Sequence, residues 1–326
     1  MSVSSQTVEK TQEKKGFQVK FNQEVILLLV LVGIVAFFAI MSDAFLTTNN
    51  MVNIIRQIAM LGIIAAGMTM VLLIGGIDLS VASNVAFTSV LMGLLMSTGV
   101  DPVLAIIIGI LGGVAVGALN GLIITKVGIP ALITTLGMLT IIRGVSFVTT
   151  GGYPVFGFPD GVRWFGTGYV LGIPVPAIIM MVVFGAVYVL LYKTYLGRHI
   201  YALGGNQEAA RLSGINTKKI QMMVYMISGF CSSIAGLILL GRLNSGQPNA
   251  LQGFELEVVT AVVLGGVSIF GGQGRLIGVF LGVVILGVLS NGLVILNVGE
   301  FFQMVISGTV LLVAVGIDRV YNRKKK

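Results

Sequence analysis

Residues 25–41 read VILLLVLVGIVAFFAIM, an unbroken apolar run without one charged side chain. An α-helix needs about 17 to 25 such residues to cross the roughly 30 Å hydrocarbon core of a bilayer. A closed β-barrel would instead show segments of about ten residues in which polar and apolar side chains alternate. The run therefore predicts a membrane-spanning helix, and its recurrence along the chain predicts an all-α polytopic membrane protein.

The composition of the chain supports the same fold class. Of its 326 residues, 56% are hydrophobic and only 10% are charged, and the mean hydropathy is +1.02. A soluble protein of this length would be about 25% charged, so the charged residues are too few to cover a surface in water. The single Cys231 excludes an intramolecular disulfide, and His199, beside Arg198 in a polar stretch, is interpreted as a solvated side chain. We expect no metal site.

About ten transmembrane helices are predicted from the apolar runs. They lie at 25–41, 58–75, 81–99, 103–124, 131–149, 176–192, 222–241, 254–267, 276–296 and 301–317.

Lysine and arginine orient these spans, because they accumulate on the cytoplasmic side of membrane proteins. With the N-terminus in the cytoplasm, all but four of the 20 Lys and Arg residues fall on that side. The four exceptions are Arg56, Arg143, Arg163 and Arg242. This orientation predicts basic cytoplasmic tails at 1–24 and 318–326 around a transmembrane domain at 25–317. It also predicts a cytoplasmic loop at 193–221 and an external loop at 150–175. The net charge of +8 then faces the inner leaflet and requires no nucleic-acid partner.

An internal repeat is visible in the sequence. The stretch LGGVAVGALNGLIITKVG at 111–128 resembles LGVVILGVLSNGLVILNVG at 281–299, and LLIGGIDLS at 72–80 resembles VVLGGVSIF at 262–270 less closely. The first pair lies on the fourth and ninth spans, and an odd offset of five reverses the direction of crossing. An inverted five-plus-five repeat, as in many transporters, is therefore predicted. Chance similarity between glycine-rich apolar helices is the alternative.

Glycine clusters predict broken helices near Gly75–Gly76 and within Gly265–Gly272. Glycine interrupts a helix at little steric cost. Asp78 follows the first cluster, where a charge is costly unless it faces protein or water. Its carboxylate is predicted to accept from the backbone of Ser80 or Val81, to line a translocation path, or to do both.

Polar side chains within or between the spans are candidates for lining a translocation path. They are Asp78, Asn84, Thr88, Asn120, Asn291 and Gln303. Such groups bond the hydroxyls of a neutral solute, or they bond one another across helices for about 0.6 kcal/mol each. The helix-to-helix alternative is favoured for any one of them.

Enzyme motifs are missing from the sequence. No Gly-Lys-Ser/Thr of a phosphate-binding loop occurs, and neither HExxH nor G-x-S-x-G is present. The chain is therefore expected not to be an enzyme. No span carries the carboxylate–histidine set of a proton relay, which argues against ion-coupled secondary transport of a small polar solute. A channel or membrane scaffold is a further alternative.

The polar stretch GGNQEAARLSG at 204–214 predicts a short helix on the cytoplasmic side. Asn206 is a good N-cap and Gly214 a good C-terminal stop. The resulting helix of two turns, about 10 Å long, is too short to span a membrane. Ala209 and Ala210 give it a low-profile face that a cleft of another protein could seat; an ordinary loop helix is the alternative.

Five stretches together resemble the membrane permease subunit of the ribose/arabinose/galactoside class of bacterial ABC importers. They are GGIDLSVAS, IPALITTLGMLTIIRGVSFVTTGG, LGRHIYALGGNQEAARLSGI, SGQP and AVVLGGVSIFGGQGR, and the likeness extends over about 45–318. Ala82 stands where many members have Gly, a slight departure.

The resemblance implies a multi-pass protein of the bacterial inner membrane with both termini in the cytoplasm. It implies three kinds of partner: a second permease subunit, ATP-binding subunits that hold ATP-Mg on the cytoplasmic face, and an external sugar-binding protein. The permease itself would bind no cofactor and would pass a monosaccharide or related polyol. By the same likeness, the residues that dock into the ATPase are Gly205, Asn206, Ala209, Ala210, Arg211, Ser213 and Gly214. The arginines expected to dock the external binding protein are Arg56, Arg163 and Arg242.

Overall fold

The computed structural model describes residues 23–323, apart from the side chains of residue 300 and residues 317–323. The long helices are α1 Gln23–Met41, α2 Thr48–Leu73, α3 Val81–Ser97, α4 Pro102–Leu122, α5 Ala131–Thr150, α7 Val175–Lys193, α10 Thr217–Leu243, α12 Leu276–Ile295 and α13 Glu300–Arg323. The shorter helices are α6 Arg163–Thr167, α8 Tyr195–Gly205, α9 Gln207–Leu212 and α11 Phe254–Leu264. A π-helical turn, Ile123–Val127, extends α4. Strands β1 Tyr169–Val170 and β2 Ile173–Pro174 form an antiparallel hairpin before α7.

Seven of the described helices are long and apolar enough to cross a membrane. They are α1, α2, α4 with its π-helical turn, α5, α7, α10 and α12. Two shorter apolar helices, α3 and the part Phe301–Gly316 of α13, add to them. The all-α polytopic fold class is confirmed, because the two-residue strands of one hairpin are the only strands among residues 23–323.

One predicted span is shorter than the sequence indicated. The run 254–267 contains α11, a helix of 11 residues, which rises only about 16 Å. Gly266 ends it with a left-handed backbone, φ +87°, and its N–H donates to the carbonyl of Val263 over 2.8 Å. The helix therefore crosses about half of a bilayer, and the chain continues without helix as far as Arg275. The predicted break at Gly265–Gly272 is confirmed.

The second predicted break, at Gly75–Gly76, is confirmed as well. Helix α2 ends at Leu73, and Gly75 takes a left-handed φ of +76°. A side chain at Gly76 would lie 2.5 Å from the Tyr225 hydroxyl, so the chain passes α10 too closely for a larger residue. Residues 74–80 thus form a non-helical segment between α2 and α3.

The packing of the helices supports the internal repeat. Helix α4 packs on α3 and α10, while α12 packs on α11 and α2. Helix α3 packs on α5, and α11 on α13 in the same way. The elements α2–α5 and α10–α13 therefore show matching neighbours. The short helices α3 and α11 are equivalent, and so are the non-helical segments 74–80 and 244–253 that precede them.

The weaker sequence similarity does not belong to this repeat. The stretch 72–80 follows the second predicted span, whereas 262–270 follows the eighth, an offset of six instead of five. Both stretches contain a glycine pair that ends a helix in a left-handed turn. Their likeness reflects common turn chemistry.

Glycines bring α4 and α10 into close contact. A side chain at Gly117 would lie on the backbone carbonyl of Tyr225, and one at Gly113 would lie 2.9 Å from the carbonyl oxygen of Gly229. Small residues permit such approaches in membranes, where no hydrophobic force drives helices together. The high glycine content thus serves helix packing along this contact.

Candidate functional site

The short helix predicted at 204–214 is present as α9. The Asn206 side chain accepts from the N–H of Ala209 over 2.9 Å and caps the helix, as predicted. Gly214 ends it with a left-handed φ of +83°. Arg211 donates to both carboxylate oxygens of Glu208, over 2.6 and 3.0 Å, and this hydrogen bonding lowers the pKa of Glu208. Both side chains are exposed, so the pair adds little to the stability of α9.

The faces of α9 differ from the expectation. Ala209 is exposed, but Ala210 is only 4% exposed and packs against the chain itself. Leu212, which the sequence analysis did not single out, is 74% exposed. Because it lies exposed on a polar helix outside the spans, Leu212 is a candidate contact for a partner. Gly205, Asn206, Arg211, Ser213 and Gly214 are exposed on the same segment.

Helix α8 connects α9 to both helix breaks. The N–H of Gly272 donates to the carbonyl of Leu73 over 2.8 Å. The backbone of Gly204 lies against these two groups so closely that a side chain there would collide with both. The Tyr201 hydroxyl donates to the carbonyl of Gly274 over 3.0 Å. Leu73 ends α2 and residues 272–274 precede α12, so α8 touches the ends of two spans.

A second tyrosine holds the same turn. The Tyr192 hydroxyl accepts from the N–H of Leu276, at the start of α12, over 3.0 Å. Burial, followed by the neighbouring Tyr192, raises the pKa of Tyr201 well above its ordinary value. Tyr201 therefore remains a neutral hydrogen-bond donor at physiological pH.

A cavity of about 400 Å³ opens between α8, the end of α9 and the start of α10. Its lining includes His199, Ser213 and Lys219, with apolar residues such as Leu196 and Ile220. None of the described residues that line it carries a carboxylate, so it suits an acidic or polar side chain rather than a cation.

Asp78 is buried, at 2% exposure, in the segment 74–80. One carboxylate oxygen accepts from the N–H and the hydroxyl of Ser80, over 3.0 and 2.6 Å. The other accepts from the hydroxyl of Ser228 in α10, over 2.8 Å. The predicted bond to the Ser80 backbone is therefore present, and Ser228 is a partner that the sequence did not reveal.

The remaining path candidates bond within the chain. Asn120 donates to the Ser80 hydroxyl over 2.8 Å, and Asn84 donates to the Gly113 carbonyl over 3.2 Å. Thr88 donates to carbonyls of its own helix, Gln303 to the carbonyl of Val298, and Asn291 exchanges hydrogen bonds with Asn50. The contacts of Asn84, Asn120 and Asn291 join separate elements and fit the helix-to-helix alternative, whereas Thr88 and Gln303 bond locally. A role of these residues in a path stays a prediction.

Two of the three predicted docking arginines lie together. Arg56 donates to the carbonyl of Thr167 over 2.8 Å and stacks over the ring of Tyr169. Arg242 is half-buried and close enough to Arg56 for the two charges to repel. Arg163 is exposed at the start of α6, the helix whose Gly166 packs on the backbone of Arg242. The three cations thus share one region.

Arg143, one of the four cations that the sequence leaves off the cytoplasmic side, lies in the middle turns of α5 and is half-buried. A charge inside a span is costly and faces the protein interior or a polar cavity. Arg143 is the only charged residue in the run 131–149, and this is the signal in the sequence that could have pointed to it.

Comparison with known proteins defines the family. Residues 50–315 match the family model described as the permease component of branched-chain amino acid transport systems. A ribose import permease of Bacillus subtilis strain 168 is 48% identical, over 90% of each chain. The ribose import permease of Escherichia coli K12 is 45% identical, over 91% of this chain and 92% of that one. A D-allose transport permease of Escherichia coli K12 is 38% identical, over 99% and 100%.

The chain belongs to this family of transport permeases. It is a multi-pass membrane protein, and its relatives are named as permease components. No solved structure matches it.

Proposed function

We propose that the chain is the permease subunit of an ATP-driven importer and forms the path for a monosaccharide or related polyol. The observation that carries this proposal is the likeness, over nine-tenths of each chain, to a ribose import permease. Further relatives are named for D-allose and L-arabinose. All three sugars are small, neutral and rich in hydroxyl groups, so the proposed solute class shares that chemistry.

The orientation in the membrane follows from the positive charges. Both termini, the turn near Arg275 and the segment α8–α9 face the cytoplasm, and the hairpin β1–β2 faces outward. The bias of Lys and Arg toward the first set of segments supports this assignment. The host membrane is the bacterial inner membrane.

An ATP-binding subunit docks on α9 from the cytoplasm. Leu212 and Ala209 supply the exposed contact face, and the cavity lined by His199 and Lys219 receives an acidic or polar side chain of the partner. ATP and magnesium bind to that subunit, and this chain holds no cofactor. The contacts of α8 with Leu73 and Gly272 carry the docking motion to the ends of α2 and α12.

Two further partners complete the transporter. A second copy of this chain supplies the other wall of the path. An external sugar-binding protein docks acidic residues on the region of Arg56, Arg163 and Arg242, because opposite charges steer such encounters.

Co-purification from the native membrane tests the proposed function. The tagged chain is expected to bring down an ATP-binding subunit, and uptake of labelled D-ribose by cells should stop when that subunit's gene is deleted. Recovery of the chain alone, with uptake that follows an ion gradient and survives ATP depletion, would identify a secondary transporter instead.

A further inference from the structure

Arg143 joins three separate parts of the protein. Its guanidinium donates to the hydroxyl of Ser83 in α3 over 3.1 Å. It also donates to the carbonyls of Pro248 and Ala250, over 2.9 and 2.6 Å. These two carbonyls belong to the non-helical segment 244–253, which therefore reaches Arg143 in the middle of α5. All the acceptors are uncharged.

A carboxylate lies close to this arginine without bonding to it. Glu255, in the first turn of α11, is near enough to Arg143 for the opposite charges to attract. The salt bridges among the described residues do not include this pair. The Glu255 Oε2 atom is shielded from solvent and has no hydrogen-bond partner among those residues. Buried polar atoms usually have a hydrogen-bond partner, so this oxygen calls for an explanation, and a donor on a bound molecule supplies one.

Helix α5 touches both non-helical segments of the internal repeat. The Thr135 hydroxyl donates to the carbonyl of Ile77, within 74–80, over 3.1 Å. Two turns further along, Arg143 binds 244–253. Transporters with inverted repeats place their solute sites where discontinuous helices meet near the midplane. Arg143 therefore stands beside the part of the fold where a solute would pass.

We infer that Arg143 and Glu255 contact the hydroxyl groups of the transported solute as it passes the segment 244–253. This inference rests on the proposed function. A hydroxyl oxygen accepts from the guanidinium in place of the Pro248 and Ala250 carbonyls, and a hydroxyl proton satisfies the orphaned oxygen of Glu255. One cation and one anion leave the contact site neutral, which suits an uncharged polyol better than an ion.

A charge-restoring thiol experiment tests the role of Arg143. The buried Cys231 is replaced by Ser, and Arg143→Cys is introduced into the complete transporter. The probe is a mixture of labelled D-ribose, D-allose and L-arabinose. Loss of the charged hydrogen bonds is expected to lower uptake by about ten-fold at equal abundance. The cationic aminoethyl methanethiosulfonate should restore uptake, whereas the anionic sulfonatoethyl reagent should not.

Access of the reagents separates this role from a structural one. A guanidinium that only ties 244–253 to α3 would lie outside the aqueous path, so neither reagent would reach the thiol. The inference would be overturned if neither reagent modified the thiol of Arg143→Cys, if that variant kept normal uptake, or if the two reagents had equal effects.

A shape-preserving change in α11 provides a second test. Glu255→Gln keeps the volume but removes the charge, and it should lower uptake of the same sugars about ten-fold. Glu257→Gln is the matched control, because Glu257 already bonds the Ser290 hydroxyl of α12 over 3.1 Å. Equal uptake by the two variants would contradict a solute contact at Glu255.

Failure of this inference is distinguishable from failure of the proposed function. Co-purification of the ATP-binding subunit measures the proposed function and should be unchanged in every variant at Arg143 and Glu255. Normal co-purification with normal uptake removes only the solute contact site.

Discussion

At the scale of single residues, Asp78 shows how a buried carboxylate is kept in a membrane protein. Its three bonds come from Ser80 and from the Ser228 hydroxyl, and Asn120 supports Ser80 in turn. The group therefore joins the segment 74–80 to α4 and α10. Its donors are two hydroxyls and the backbone N–H of Ser80, all uncharged. The arrangement therefore depends more on the Asp78 oxygens as acceptors than on their negative charge.

Substitution at Asp78 should separate shape from charge. Asp78→Leu leaves the Ser80 and Ser228 donors without an acceptor, at about 1–3 kcal/mol for each buried group, and should lower the thermal stability of the detergent-solubilised permease. Asp78→Asn keeps one oxygen acceptor and should lose much less. Thermal melting curves, with size-exclusion chromatography as the readout of folded protein, measure the difference in melting temperature between the variants. Equal melting temperatures for Leu and wild type would show that these bonds do not hold the fold.

Residue-level prediction succeeded where chemistry is local. The Asn206 cap depends on a short side chain that reaches the nearby backbone, and the Gly214 stop and the Gly75 break depend on glycine's backbone freedom, all of which the sequence displays. The burial of Ala210 was not predicted, because the elements packed around α9 decide which of its alanines is buried. Ser228 and Glu255 gave no local signal, since their partners lie far away in sequence.

At the scale of elements, α9 should tolerate change differently on its two faces. Ala209→Glu and Leu212→Ser alter exposed side chains, so normal permease abundance with loss of ATP-binding-subunit co-purification is expected. Ala210→Glu places a charge against the chain itself, which is strongly unfavourable, and should reduce abundance. Arg211→Ala should have a small effect, because the exposed pair with Glu208 is screened by water.

The reverse pattern would revise the docking face. If Ala209→Glu and Leu212→Ser still co-purify the ATP-binding subunit and import sugar normally, α9 is an ordinary surface helix. The turn around Ser268 and Arg275 would then be the next candidate for coupling.

Two adjacent glycines in α8 offer a matched test of its contact with the spans. A side chain at Gly204 would collide with the Leu73 carbonyl and the Gly272 N–H, whereas one at Gly205 would meet nothing within 4 Å. Gly204→Ala should therefore lower the melting temperature of the isolated permease, and Gly205→Ala should not. Indistinguishable melting of the two variants would mean that α8 separates freely from the ends of α2 and α12.

At the scale of the whole molecule, the repeat unites features that the sequence showed only singly. The match between 111–128 and 281–299 predicted the five-plus-five arrangement, and the packing of α4 and α12 supports it. The sequence predicted that a glycine cluster breaks the run 254–267, but its apolar character did not show that α11 is too short to cross the bilayer. The role of 244–253 as counterpart of 74–80 needed the three-dimensional neighbours.

The orientation of the whole molecule can be tested with two cysteines in a background whose single native cysteine is buried. Leu171 is 98% exposed at the tip of the hairpin β1–β2, and Leu212 is 74% exposed on α9. Neither side chain supports the packing, so Leu171→Cys and Leu212→Cys should each insert normally. A membrane-impermeant maleimide applied to intact spheroplasts should label the first variant and not the second, because the positive charges hold α8–α9 inside. After detergent lysis both should react. Labelling of Leu212→Cys in intact spheroplasts would invert the topology, and the ATP-binding subunit would then have to dock elsewhere.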